Sequence, residues 1–214
     1  MDSTHDRKRE VLHLRETDFR HLPWKNGRGV TEELALWPPH ATFQRGDFDW
    51  RVSRAAIDEN GPFSAFPGFD RILVVTAGRG LALTHGRDAA RAYVRPLEPY
   101  LFSGDWPTSG ELDGGPVADL NVLVRRDRHR ADVQVSRLRR RRVIEALDAQ
   151  DALVCVLSGS VLARVTGEDE PFALAAREVL WIRGAADGAD VELSGRADDA
   201  GVILVRIARA DDAD

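Results

Sequence analysis

The sequence predicts an all-β protein, a sandwich or barrel made of short strands. Short apolar runs recur along the chain and are bounded by glycine, proline or asparagine, which is typical of strands joined by turns. Segments with the helical period of hydrophobic residues are few. The pattern of apolar runs in the first half returns in the second half, which indicates a duplicated β unit.

The composition is that of a globular protein of 214 residues, with 43% hydrophobic residues, 30% charged residues and a net charge of −5. A net negative charge argues against general nucleic-acid binding, which draws much of its affinity from phosphate neutralisation. The single cysteine, Cys155, lies in an apolar run and is predicted to be a buried small hydrophobe. We expect a cytoplasmic location, because neither a signal peptide nor a membrane span is predicted.

Turn residues separate the predicted strands of the first half. Pro23 and the glycines at 27 and 29 predict a shaped loop, and the segment 61–71 predicts a turn-rich corner. Only 140–148 has a helical pattern, and it is weak. The predicted strands are 11–14, 19–22, 32–37, 48–53, 72–77, 81–85, 93–94, 100–102 and 120–125.

The stretch 47–83 carries the most informative alternation. In a strand, alternate side chains share a face, so Trp50 and Val52 point one way while Arg51 and Ser53 point the other. The polar face has two interpretations, a solvated outer surface or the wall of a cavity. The corner rich in proline and glycine that follows at 61–71 favours the cavity.

The internal repeat suggests how the chain is divided. Residues 72–83 align with 153–164, glycine over glycine, and 101–104 and 122–125 align with 181–184 and 203–206. Motifs rich in aromatic and charged residues occur only in the first half, so the second half is predicted to be a scaffold. The predicted parts are an N-terminal barrel with the ligand pocket at 1–126, an arginine-rich connection at 127–149 and a C-terminal half at 150–214.

Five motifs in the first half resemble those of the HutD/Ves family. They are 23–27, 48–53, 61–71, 104–107 and 119–126. The resemblance implies a bicupin, two fused cupin-type (jelly-roll-like) β-barrels. It also implies a regulator of histidine utilisation, the breakdown of histidine, that senses an intermediate such as N-formyl-L-glutamate.

Candidate catalytic and metal-binding groups are not convincing. The six histidines include no His-x-His pair, and a lone His85 after a glycine turn is more often hydrogen-bonded than a ligand, so no metal and no other cofactor is expected. Ser64 is not in a nucleophile elbow and Cys155 is in an apolar run, so no catalytic nucleophile is predicted. General base catalysis by Asp119 or Asp70 is the less favoured alternative.

The remaining pattern suits an anion. Arginine and lysine supply charge-assisted hydrogen bonds to carboxylates, amides and hydroxyls add neutral ones, and aromatic rings close an apolar wall. Two alternatives stay open: Arg71 in a salt bridge with Asp70 or Asp49, and Lys25 at a solvated loop tip. The predicted ligand-binding residues are Trp24, Lys25, Asn26, Arg51, Ser53, Phe63, Ser64, Phe66, Arg71 and Asn121.

The sequence therefore predicts a regulatory protein that binds a small anionic metabolite. The alternative is a metal-free cupin enzyme, an isomerase or hydrolase of a small acidic substrate. Nine arginines between Arg125 and Arg142 alternate with apolar residues and lack an aromatic platform, so we interpret them as an outer strand and link rather than a nucleic-acid surface. A homodimer formed through a sheet edge is a further expectation.

Overall fold

The computed structural model describes residues 9–24, 29–86, 90–138, 142–185, 188–196 and 200–210. These residues form nineteen strands and a 3₁₀ turn at Glu16–Asp18, which confirms the all-β prediction. No helix within these ranges has the length and apolar character needed to cross a membrane. The strands are β1 (Glu10–Leu14), β2 (Arg20–Pro23), β3 (Val30–Trp37), β4 (Trp50–Ile57), β5 (Gly61–Phe63), β6 (Phe69–Ala77), β7 (Leu81–His85), β8 (Ala90–Val94), β9 (Tyr100–Ser103), β10 (Thr108–Leu112), β11 (Val117–Arg125), β12 (His129–Arg137), β13 (Arg142–Ala146), β14 (Asp151–Ser158), β15 (Ser160–Val165), β16 (Phe172–Ala175), β17 (Val179–Arg183), β18 (Asp190–Gly195) and β19 (Gly201–Arg209).

The first barrel consists of Phe19–Arg130. Its six-stranded sheet has the order β2-β3-β4-β11-β6-β9, and its four-stranded sheet has the order β5-β10-β7-β8. Leu73 and Val75 of the larger sheet share one buried cluster with Leu81 and Leu83 of the smaller sheet. The two sheets therefore pack face to face around a common core.

The second barrel consists of the described residues up to Asp18 together with those from Ala131 onward. Its sheets have the orders β1-β17-β14-β19-β12 and β13-β18-β15-β16. Its core is apolar and joins both sheets, with Val154, Leu180 and Leu204 facing Val161 and Leu193. Burial of this much aliphatic surface is enough to hold the two sheets together.

The division of the chain differs from the predicted boundaries at 126 and 150. Strand β1 pairs along its whole length with β17, so the N-terminal strand belongs to the second barrel. The predicted connection at 127–149 contains β12 and β13, two strands of the second barrel's sheets. The helical expectation for 140–148 was wrong, because Arg142–Ala146 forms five pairs with β18.

The predicted repeat is visible in the topology, although the predicted alignment of 122–125 with 203–206 is two residues out of register. Val122 pairs with Ile72, and Val205 pairs with the corresponding Leu153. The order β4-β11-β6-β9 in the first barrel matches β12-β19-β14-β17 in the second, and β5-β10-β7-β8 matches β13-β18-β15-β16. The aligned glycines Gly78 and Gly159 both have a positive φ, 97° and 69°. Glycine is needed at both turns because this conformation is unfavourable for residues with a Cβ.

Candidate functional site

One face of the larger sheet in the first barrel carries polar side chains in register. On the central strand β11, Asn121 is paired with Ser53 and Leu73, and Leu123 is paired with Arg51 and Arg71. Directly paired residues in an antiparallel sheet point to the same side. The alternation of β4, β6 and β11 therefore places Asp119, Asn121, Ser53 and both arginines on a common face.

This common face is the inner wall of the barrel. At one end it adjoins an apolar cluster that contains Leu36, Phe48 and Leu123. At the other end it adjoins the cluster that contains Leu73 and Val75. The charged side chains form a polar layer between two apolar clusters. The Arg51 face is buried, so its interpretation as a solvated outer surface is wrong, while the cavity wall stays a prediction.

Arg51 forms a buried ion pair. Its Nε donates to Oε2 of Glu33 on β3 at 2.8 Å, and the two side chains are 5% and 4% exposed. The guanidinium also stacks on Phe43, 4.2 Å from the ring centre. Burial lowers the pKa of Arg51, while Glu33 acts in the opposite direction. The Nη2 of Arg51 is buried and has no hydrogen-bond partner within the described chain.

Arg71 is buried against a neutral partner. Its Nε and Nη2 both donate to Oδ1 of Asn121, at 2.9 and 2.6 Å. The predicted alternative of a salt bridge is wrong, because Asp70 pairs with Arg126 and Asp49 with Arg128. Burial lowers the pKa of Arg71 to about 10, and the nearby charge of Arg51 adds to this effect. Arg71 is still a cation at neutral pH.

Aromatic rings surround the Arg71 guanidinium. Its central carbon lies 4.7 Å from the ring centre of Phe63, 5.4 Å from Phe102 and 6.0 Å from Phe66. Rings at these distances attract a cation electrostatically, although more weakly than an anion would. The rings form an apolar wall on one side of the arginine.

Asp119 is the most unusual group of the layer. The residue is 1% exposed, and neither carboxylate oxygen has a hydrogen-bond partner within the described chain. Burial raises its pKa to about 6, against the opposing effect of the Arg71 charge. Asn121 and the backbone of Ala55 also favour the ionised form, but neither reaches Asp119 with the distance and angle of a hydrogen bond.

The smaller sheet supplies the facing wall. Thr108 on β10 pairs with Phe63 on one side and His85 on the other. The two nitrogens of His85 bond Oγ1 of Thr108 at 2.9 Å and the hydroxyl of Tyr100 at 3.1 Å. Burial lowers the pKa of His85. The ring is therefore held in one orientation, as a hydrogen-bonded core residue.

The structure brings most of the predicted binding residues together. Arg51, Ser53, Arg71 and Asn121 lie on the inner wall, and Phe63 and Phe66 contact Arg71 as described above.

The indole of Trp24 donates to Oγ1 of Thr31 at 2.9 Å and packs against the core cluster of Leu73. Thr31 is paired with Ala55, which is paired with Asp119. Trp24 thus lies at the edge of the same wall. Ser64 is exposed, and no hydrogen bond in the described ranges joins it to the layer. Lys25 and Asn26 lie outside the residues that the structure describes.

Sequence reasoning missed Glu33, Phe43 and Phe102. Glu33 lies in a predicted strand, so the sequence contained part of the signal. Its side chain shares a face with Leu36 because of a bulge between Glu33 and Ala35, which simple alternation does not predict. Phe102 was assigned to a strand, but its position opposite Arg71 depends on the pairing of β6 with β9. Asp119 was considered only as a general base.

The described residues of the second barrel form no such layer. Its bulge places Val156 opposite Val202, as the first barrel's bulge places Val75 opposite Asp119. By this correspondence Val202 takes the place of Asp119, and Ala152 takes the place of Arg71. Both are fully or almost fully buried in the apolar core. Among the described residues, the polar layer therefore belongs to the first barrel.

Two fused cupin-type barrels, one with charged side chains on its inner wall, define the protein as a bicupin. A family model described as HutD matches residues 16–202. The chain belongs to the HutD family.

Curated relatives support this membership. Protein Ves from Citrobacter koseri is 35% identical over 147 residues, which cover 67% of this chain and 72% of the relative. A 21.2 kDa protein in the hutC 3′ region of Pseudomonas putida is 38% identical over 125 residues, which cover 56% of this chain and 62% of that protein.

Solved structures have the same architecture. The conserved protein PA5104 from Pseudomonas aeruginosa PAO1 has a TM-score of 0.82 and 31% identity, with 94% of this chain and 99% of that chain covered. HutD from Pseudomonas fluorescens SBW25, solved in a formate condition, has a TM-score of 0.75 and 30% identity at the same coverage. The pirin YhhW of Escherichia coli, in complex with nickel(II), shares the fold alone, with a TM-score of 0.62, 11% identity and coverage of 92% and 98%.

The described residues of this chain do not fit a metal of the kind bound by that pirin. Within the described ranges, no group of three or more His, Cys, Asp or Glu side chains converges on one point. Both nitrogens of His85, the histidine on the inner wall, are already in hydrogen bonds. A stable transition-metal site needs several imidazole or carboxylate ligands at fixed short distances.

Proposed function

We propose that the first barrel binds a small carboxylic acid between Arg51 and Arg71, and that the protein acts as a regulator of histidine utilisation through this binding. The proposed ligand is an anionic metabolite such as N-formyl-L-glutamate. The binding site contains no metal. Binding of the acid, rather than its conversion, is the signal.

The observation that carries the proposal is the incomplete pairing of two buried cations. Buried polar groups nearly always have hydrogen-bond partners, yet Nη2 of Arg51 has none, and Arg71 bonds only a neutral amide oxygen. A carboxylate supplies what both lack, a negative charge and several acceptor lone pairs. The aromatic rings around Arg71 can bury the carbon atoms of such a ligand.

The expected affinity is micromolar. Each hydrogen bond to a charged group contributes about 1.5 to 3 kcal/mol. Two or three such bonds contribute about 3 to 9 kcal/mol before the cost of association. A micromolar dissociation constant corresponds to a net gain of about 8 kcal/mol, so it requires the upper end of this range together with the burial of the carbon chain. This value suits a metabolite sensor.

The link to histidine utilisation is supported by relatives. The chain resembles HutD from Pseudomonas fluorescens, which was solved in a formate condition, and a protein in the hutC 3′ region of Pseudomonas putida. Formate and N-formyl-L-glutamate both carry a carboxylate, the group that we propose the two arginines bind. We therefore place this chain in the same metabolic context.

The test is a thermal-shift panel of formate, N-formyl-L-glutamate, urocanate, glutamate and unrelated acids. An acid at about 100 times its dissociation constant stabilises the barrel by roughly 2.7 kcal/mol. The same panel is run on Arg71→Met, which removes one cation, and on the control Arg91→Met, which removes an exposed arginine of β8. We expect a shift in the wild type and the control and none in Arg71→Met.

Two outcomes would contradict the proposal. The first is the absence of a shift with every acid. The second is an equal shift in Arg71→Met, which would place the ligand elsewhere. Because Arg71 bonds no acidic side chain, its removal leaves no carboxylate without a partner except Asp119, which can take up a proton. Folding of the variant is checked by circular dichroism.

The alternative is a metal-free cupin enzyme that acts on a small acid. One observation favours it, since the pKa of about 6 for Asp119 lies in the range of a general acid or base. The ligand found in the panel is incubated with the protein and recovered. Quantitative recovery supports binding alone, and loss of the acid with appearance of a product supports the enzyme.

A further inference from the structure

The charges of the polar layer do not accommodate an anion unless a proton is added. The described buried side chains carry two positive charges, on Arg51 and Arg71, and one negative charge on Glu33, while Arg20, 3.5 Å from Glu33, is largely exposed. An ionised Asp119 makes the layer neutral before any ligand enters. A carboxylate would then bring an uncompensated negative charge into a buried site, which is strongly unfavourable. With a neutral Asp119, the same carboxylate completes the neutralisation.

The position of Asp119 makes it the partner of the ligand. It lies two residues before Asn121 on the same face of β11, roughly 7 Å along the strand. Arg71 is directed towards Asn121 by two hydrogen bonds. On the inner wall within the described ranges, the buried polar atoms without a partner belong to Arg51 and Asp119. A ligand that satisfies the two arginines therefore lies beside the unsatisfied carboxyl group.

We propose that the site takes up one proton together with its acid ligand, and that Asp119 holds this proton as a neutral carboxylic acid that donates a hydrogen bond to the ligand. This inference rests on the proposed binding function and names the chemical state in which the site binds. Its consequence is that the sensor responds to the acid more strongly as the pH falls.

The electrostatics of the layer agree with this assignment. Burial raises the pKa of Asp119 to about 6 in the free protein, so the carboxyl group is mostly ionised at pH 7.5 and must gain a proton when the ligand binds. An anion beside it raises the pKa further, because two adjacent negative charges repel each other. The affinity should then be constant below about pH 5.5 and fall about tenfold per pH unit above pH 6.

Other titratable groups of the wall are accounted for. Glu33 is ion-paired with Arg51 at 2.8 Å, and burial raises the pKa of Tyr100 above its ordinary value of 10.0, outside the relevant range. His85 is the only rival proton acceptor on the described inner wall, because an anion nearby would favour its protonation. Its lowered pKa and its two hydrogen bonds oppose this role. The test must nevertheless separate His85 from Asp119.

The experiment is isothermal titration calorimetry of the whole chain with formate and with N-formyl-L-glutamate, from pH 5.5 to pH 8. At pH 7.5 each titration is repeated in HEPES and in Tris, because the difference in heat gives the number of protons exchanged. We expect the dissociation constant to rise roughly 80-fold across this range and the uptake to be close to one proton. Neither probe titrates here, since carboxylic acids ionise below pH 5.

Two variants assign the proton. Asp119→Asn presents a permanent neutral donor, so its affinity should be independent of pH and its proton uptake close to zero. His85→Gln should keep the pH dependence of the wild type. If the wild type binds an acid without proton uptake, the inference is wrong while the binding function stands. This result can be obtained without any variant. Uptake that persists in Asp119→Asn also overturns it. Failure of both acids to bind at any pH contradicts the binding function itself.

Discussion

The ion pair between Arg51 and Glu33 offers a sharp test of the inner wall. Both side chains are almost completely buried, and apart from Arg51 the nearest described cation to Glu33 is Arg20, 3.5 Å away and largely exposed. Arg51→Met removes the charge that balances Glu33 and also the contact with Phe43. Leaving one charge of a buried pair without its partner costs about 3 to 5 kcal/mol.

The double variant behaves differently. Glu33→Leu combined with Arg51→Met removes both charges together, and replacement of a whole buried pair by apolar residues is often neutral or stabilising. We expect the double variant to lie within about 1 kcal/mol of the wild type, so that adding Glu33→Leu to Arg51→Met restores most of the lost stability.

The assay is urea denaturation at pH 7, followed by circular dichroism and by tryptophan fluorescence. If the two barrels unfold in separate transitions, only the transition of the first barrel should move. A loss below about 1 kcal/mol in Arg51→Met would refute the reasoning, because an exposed ion pair contributes no more than this. The wild type and the double variant serve as the two reference states.

Two further predictions concern stability and packing. Because the folded-state pKa of Asp119 is about 6 and the unfolded value is 3.8, the group stabilises the fold fully below pH 4 and loses this contribution as pH rises to about 6. Asp119→Asn should therefore gain about 2 kcal/mol relative to the wild type between pH 4 and pH 7, as measured by urea denaturation. An unchanged difference would contradict the burial of the carboxyl group. Gly110→Ala would place a Cβ 2.5 Å from Cε2 of Phe63, so it should destabilise the barrel by about 1 to 3 kcal/mol and weaken acid binding by displacing the ring from Arg71. Normal affinity in this variant would show that Phe63 does not support the site.

Local sequence patterns predicted most strands of the first barrel, but not β5 and β10, and they predicted the polar face of β4. Alternation placed Arg51 and Ser53 on one face and Trp50 and Val52 on the other, and both faces are buried in the structure. The period-2 pattern fixes which side chains share a face, but burial of that face depends on what packs against it. Arg51 is buried because it contacts Glu33 and Phe43, which come from a neighbouring strand and a loop.

Pairing between distant strands explains what local patterns missed. The weak helical pattern at 140–148 contains good helix formers such as Glu145, Ala146 and Leu147, but pairing with β18 outweighs this preference. The same reason applies to β1, whose partner β17 lies far away in the sequence. Asp119 was hardest to assign, because its raised pKa arises from burial by elements that are remote along the chain.

The most direct test of the central claim is a crystal structure grown with saturating N-formyl-L-glutamate. The account predicts a carboxylate inside the first barrel, within hydrogen-bond distance of Nη2 of Arg51 and of the Arg71 guanidinium, with Asp119 in contact with the ligand. A ligand bound on the outer surface, or a transition metal coordinated by His85 inside the barrel, would contradict it.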